Sequence, residues 1–205
     1  MVLDCHTHRQ PPYPEGIVSL RLPDSILVPD QLYSAGIHPW DTLEGIDEKA
    51  YSRLEELAVL PQVVAIGECG IDPLRGAPMF RQLQWFRRQV ALSENIGKPL
   101  VIHAVKSADV ILGLKRDLCP SQPWIIHGFR GKAALAVQLV SKGLYLSFGE
   151  KFNPESVRAV PKDMILAETD ESSLPIGNII ALIGEAAGED LTEVVAANTA
   201  RVFSL

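Results

Sequence analysis

Three stretches of this chain, VVAIG at 63–67, LVIH at 100–103 and WIIH at 124–127, are apolar at successive positions instead of alternate ones. A strand with one wet face alternates; a strand buried on both faces does not, and burial on both faces marks a parallel sheet sandwiched by helices. Extended to their natural limits, eight such runs read as strands: Val2–His6, Gly16–Leu22, Tyr33–Ile37, Val63–Glu68, Pro99–His103, Pro123–His127, Gly143–Phe148 and Met164–Glu168. From the third onward, helical patterns separate them. Asp47 to Val59 places Ala50, Leu54 and Leu57 on one face, and Met79 to Ile96 places Phe80, Leu83, Phe86 and Val90 near helical spacing before the stop at Gly97. Ser107 is the expected cap of a helix to Leu118, and Lys132–Lys142 forms another. Asn153-Pro154 opens a short helix, and two more follow at Ile176–Ala187 and Thr192–Phe203. The pattern predicts an α/β fold, a compact, trimmed TIM-type (β/α)8 barrel in a single domain over residues 1–205. An open doubly wound sheet is the alternative, because this length is at the bottom of the barrel range.

With 47% hydrophobic and 21% charged residues, the chain can fill a core of that kind. No apolar run approaches the roughly 18–20 residues that span a bilayer. The N-terminus passes directly into a strand without a signal-peptide layout, so a cytoplasmic location is expected, with no membrane and no obligate protein partner. Cys5, Cys69 and Cys119 are odd in number and lack CxxC spacing, which argues against a disulfide framework or a zinc knuckle. A net charge of -6 excludes a generic nucleic-acid coating protein. It does not exclude a phosphoester substrate at a site made locally positive by bound cations.

All five histidines stand at, or next to, the end of one of these runs: His6 and His8 in VLDCHTH, His38 in YSAGIHPW, His103 in PLVIHAV and His127 in PWIIHGF. Two acids hold similar places, Glu68 in VVAIGECG and Asp170 in MILAETD. Imidazole and carboxylate together suit divalent transition metals. For any single histidine a core or surface role is the plainer explanation; for five of five it is not. Side chains two apart on a strand point the same way, so His6 and His8 can reach one ion. Asp4 shares their side and is a candidate for orienting a ligand imidazole from behind. Barrel enzymes build their sites at the C-terminal ends of the strands, where Glu68, His103, His127 and Asp170 would converge on that pair.

The motifs, in order, are DxHxH at 4–8, GIHP at 36–39, AIGECGID at 65–72, IH at 102–103, HGFRG at 127–131, LAETD at 166–170 and NxxRVF at 198–203. In these the chain resembles the TatD family of metal-dependent deoxyribonucleases, amidohydrolase-like TIM barrels. The resemblance implies two divalent ions, of Zn, Mn, Mg or Ni. His6, His8, Glu68 and Asp170 would hold one and Glu68, His103 and His127 the other, with Glu68 bridging. It places His38 beside the site, toward phosphate. Departures lie in the substrate walls. The chain is some tens of residues short of the usual member. Lys106 stands near or in place of an expected arginine, Arg130 brings a cation to HGFRG, and Glu171 adds an acid after ETD. Lys keeps the charge but loses bidentate geometry on phosphate.

The expected activity is hydrolysis of a phosphodiester in DNA, single-stranded or at a 3′ end. Two ions about 4 Å apart would activate a shared water, with Asp170 as its catalytic proton acceptor and Glu68 as the bridge. His38, Lys106 and Arg130 would face the substrate. Trp40 and Phe129 flank ligand positions; packing is their simpler role and base stacking the other. Two further readings stand. One is a metallohydrolase of a small amide, lactone or phosphomonoester. The other is a metal-binding protein without turnover.

Overall fold

The structure is a computed structural model and describes residues 1–22, 27–43 and 46–205. Eight parallel strands close into a barrel in sequence order: β1 (Asp4–Thr7), β2 (Gly16–Arg21), β3 (Leu32–Gly36), β4 (Val63–Ile71), β5 (Leu100–Ala104), β6 (Trp124–Ile126), β7 (Leu144–Phe148) and β8 (Ile165–Ala167). Helices α1 (Glu48–Ala58), α2 (Met79–Ile96), α3 (Ala108–Leu118), α4 (Ala133–Val140) and α5 (Pro154–Ala159) follow β3 through β7 in turn. After β8 come α6 (Ile176–Ala187) and α7 (Thr192–Phe203). The β1–β2 and β2–β3 connections carry no helix among the described residues, and this is where the barrel is trimmed.

The successive apolar residues divide between two cores. Leu100 and Ile102, Trp124 and Ile126, and Ile165 and Ala167 pack outward with Leu54, Phe86, Ile111 and Ile179 of the helices. The residues between them, Val101, Ile125 and Leu166, join Cys5, Ile17 and Ala65 in a second cluster that fills the barrel. Burying both faces of each strand leaves few positions for large polar residues before the C-terminal ends, where the histidines gather.

Every strand but β4 ends within two residues of its expected bounds. β4 runs past Glu68 to Ile71, so this acid lies inside a strand and not at its end. Ser107 occupies the expected N-cap of α3 but does not cap it. Its hydroxyl donates to Ile71 O at 2.9 Å, tying the helix entry to the end of β4. Asn153 does cap α5, its Oδ1 accepting from Glu155 N–H at 3.0 Å.

Closure falls to the two ends of the chain. β1 meets β8 through Asp4↔Ala167 and the bridge Thr7↔Asp170. Behind this short seam Asp4 is fully buried. Its Oδ1 accepts Thr169 N–H at 2.9 Å and its Oδ2 the Thr169 hydroxyl at 2.6 Å, and Thr169 in turn meets Thr7 Oγ1 at 2.6 Å. Asp4 therefore braces the backbone of the ETD turn, while His6 Nδ1, the imidazole it was expected to orient, has no hydrogen-bond partner. Burial pushes the Asp4 carboxyl up to about 7, against the lowering effect of the Thr169 hydrogen bonds.

The folded value lies above the ordinary 3.8, so the folded chain holds a proton there that the unfolded chain releases. The contribution of Asp4 to stability is therefore full below about pH 4 and falls as pH rises to about 7. Urea denaturation of metal-free protein should show wild type losing stability relative to Asp4→Asn across that window. A constant difference between the two at all pH values would contradict it.

Candidate metal centre

Glu68 is the hub of the C-terminal mouth of the barrel. It is 5% exposed, and all five histidines lie within 3.4 Å of its carboxylate. Oε2 faces His6 Nε2 at 3.4 Å and His8 Nε2 at 3.3 Å. Oε1 faces His38 Nε2 at 3.0 Å, His103 Nδ1 at 2.9 Å and His127 Nε2 at 2.7 Å. Asp170 Oδ1 joins the Oε2 side, 3.9 Å from His6 Nε2 and 3.6 Å from His8 Nε2.

The local backbone explains how an acid inside a strand reaches the mouth. The β4–β5 register shifts between Ile66 and Cys69, and Gly67 and Gly70 flank Glu68 at φ of +146° and +147°. A Cβ on Gly67 would stand 2.5 Å from Val101 O, and one on Gly70 2.0 Å from His103 O. Only glycine permits that approach of β4 to β5. Asp170 is placed by the seam: its N–H donates to His6 O and its C=O accepts from His8 N–H, both at 3.0 Å. Its φ of +52° turns the side chain out of the strand direction.

Burial opposes the charge on Glu68, but the His127 charge and hydrogen bonds from His103, His127 and His38 outweigh it and hold the carboxyl well below its usual range. Burial likewise opposes protonation of His127, yet Glu68 and Glu168 raise its imidazolium well above the ordinary value. His8 is raised by its hydrogen bond to Glu68, and His38 is lowered by burial. His38 Nδ1 accepts Trp40 N–H at 3.1 Å, so in the neutral ring the proton sits on Nε2, which donates to Glu68 Oε1.

Several triads offer ligand atoms within 4.8 Å of one another: His6, His8 and Glu68; His6, His127 and Asp170; and His38, Glu68 and His103. The wholly buried His6 has no hydrogen bond at either ring nitrogen. A cation against Nε2 would satisfy that atom, and the nitrogen and carboxylate donors suit a divalent ion.

A cleft of about 590 Å³ opens above, lined among others by His8, Arg21, Trp40, Arg130, Asp170 and Glu171. Lys106, expected there, is exposed in the turn after β5 and does not line it. Phe129 is 5% exposed and packs edge-on against Phe148 at 5.9 Å, so it is core and not a stacking surface. Trp40 lies under the Arg75 guanidinium, 3.6 Å from the ring centroid.

Two buried acids were missed. Asp72 Oδ2 lies 3.4 Å from His103 Nε2, and Glu168 Oε1 3.5 Å from His127 Nδ1. Glu168 directly follows β8, and Asp170 two residues later drew the attention that the same strand-end argument gives to Glu168.

In metal-free protein, the His127 imidazole should titrate well above the usual histidine range by NMR. Glu68→Gln removes an anion that raises it and leaves the burial that lowers it, so the transition should move down. A transition left in place would show that Glu68 does not govern it.

Residues 26–204 match the family described as TatD related DNase. Among curated proteins, an uncharacterized metal-dependent hydrolase, YabD of Bacillus subtilis, is 34% identical over 69% of this chain and 59% of its own length. The 3′-5′ ssDNA/RNA exonuclease TatD of Cronobacter turicensis is 33% identical over 67% of this chain and 56% of its own. The matched stretch thus spans less than two thirds of each relative. Among solved structures, the TatD homolog YjjV of Escherichia coli K12 superposes with a TM-score of 0.84 at 18% identity, covering 100% of this chain and 98% of that one. A TatD family hydrolase of Entamoeba histolytica gives 0.72 at 19% identity, over 84% of this chain and 74% of that one. With the family match over most of its length and the same closed barrel, this chain belongs to the TatD family.

Proposed function

We propose that the chain is a divalent-metal-dependent phosphodiesterase acting on single-stranded nucleic acid from an end. The observation that carries this is the single buried carboxylate of Glu68 with imidazoles on both of its oxygens. In this reading His6, His8, Glu68 and Asp170 would hold one cation, and Glu68, His103 and His127 would hold a second. Such a pair lowers the pKa of a water and neutralises charge gathering on phosphoryl oxygens.

The chain's own residues do the rest. Asp170, whose side chain is 25% exposed at the cleft, orients the attacking water and accepts its proton. His38 holds its Nε2–H on Glu68 Oε1, the tautomer that Trp40 N–H imposes, and lines the cleft beside the phosphate. Arg130 stands at the mouth as a counter-charge. Lys106 is outside the lining, and Arg21 is the cation that the cleft presents in its stead. The exonuclease named among the relatives supports the nucleic-acid substrate. No helix among the described residues is long and apolar enough to cross a membrane, and we infer a cytoplasmic enzyme.

Glu171 at the same mouth favours a second reading, since it repels an anionic polymer: hydrolysis of a small phosphoester, lactone or amide. The test is a labelled single-stranded oligonucleotide and a panel of those small substrates, given to metal-stripped protein resupplied with Mg, Mn, Zn or Ni. Cleavage of the oligonucleotide should need metal and fall about 10²–10⁴-fold in Asp170→Asn, which loses its proton acceptor. Loss should extend to Glu68→Gln. Turnover of small substrates alone would replace the polymer reading, and tight metal uptake without any turnover would leave a binding protein.

A further inference from the structure

We propose that Glu168 is a positioning residue that fixes the His127 imidazole for the second cation; this rests on the two-cation reading above. Glu168 is wholly buried, immediately after β8. Its Oε1 accepts Gly128 N–H at 2.6 Å and lies 3.5 Å from His127 Nδ1. Its Oε2 has no hydrogen-bond partner, and neither has His127 Nδ1. One oxygen suffices for the Gly128 amide, so the fold alone does not explain a full buried carboxylate, which is costly without a partner. Gly128 and Gly149 wall it closely: a Cβ on either would come within 3.6 Å of the Glu168 side chain. Neither supplies a side-chain partner.

The ring it faces has the right polarity. His127 turns Nε2 toward Glu68 Oε1 at 2.7 Å and Nδ1 toward Glu168. A carboxylate drawing the proton to Nδ1 leaves the Nε2 lone pair aimed into the centre and fixes the ring plane. Asp72 behind His103 is a weaker case. Its Oδ2 takes the Trp40 indole N–H at 2.7 Å and its Oδ1 the Leu74 N–H at 2.9 Å, so it also organises the loop after β4. Glu168 has no such second duty beyond one amide. The same sequence triplet thus carries three tasks: Glu168 behind a ligand, Thr169 in the seam, Asp170 at the water.

The experiment is a calorimetric titration of metal-stripped protein with Zn or Mn for wild type, Glu168→Gln, His127→Ala and the double variant. Glu168→Gln keeps an acceptor for Gly128 N–H, removes the charge and puts an N–H donor in the place of Oε2. Two binding steps are expected in wild type. Glu168→Gln should weaken one of them about 10–100-fold, leave the other unchanged, and melt like wild type when metal-free. In the His127→Ala background it should add nothing, because it acts through that ring. Two unchanged steps in Glu168→Gln, equal weakening of both, or an additive effect without His127 would overturn the assignment. A wild type that binds only one ion sinks the two-cation reading separately. Glu168 is then judged on that ion by the same fold-change and the same cycle.

Discussion

The site depends on closing the barrel between the first and last strands. β1 and β8 are four and three residues long, and the seam between them holds few backbone contacts. What reinforces it is a buried acid, Asp4, gripping the backbone and hydroxyl of Thr169 across 165 positions of sequence. The residues that this seam fixes stand next to those gathered around Glu68. His6 and His8 flank Thr7, and Asp170 follows Thr169. A barrel that opened here would separate the histidine pair from the aspartate on its other side. The cage would be divided between two free ends, though each strand stayed intact.

Much of this was legible because burial on both faces writes a simple code. Where every strand residue is apolar, a polar residue marks the place where the strand leaves the core, and His103 and His127 were found that way. Periodicity likewise found α2, α6 and α7 at their observed limits. Glu68 reads from the sequence as a strand-end acid, yet it lies within β4 and reaches the mouth through a register shift that two glycines make possible. Composition cannot show a shift of register.

What stayed hidden is what depends on distance. Asp4 reads equally well as support for an imidazole or for a loop, and only the fold reveals Thr169 in its grasp. Glu168 and Asp72 are ordinary acids until a ring nitrogen is found beside each. Ser107 carries a cap signature yet spends its hydroxyl on Ile71 O. Lys106 and Arg130 both look like rim cations, and of the two Arg130 lines the cleft.

The glycines beside Glu68 have a consequence for how such a protein can change. Side chains that line a centre can be exchanged over generations, and a centre shaped by them can drift toward a new ion or substrate. Here the spacing between β4 and β5 is set by backbone touching backbone, with no room at Gly67 or Gly70 for even one carbon more. The interior of the cage is thus closed to gradual variation. Novelty has to enter at the rim, where Arg130, Glu171 and the abbreviated loops stand. A rigid centre under a replaceable wall lets one set of clustered histidines and acids be readdressed without being rebuilt.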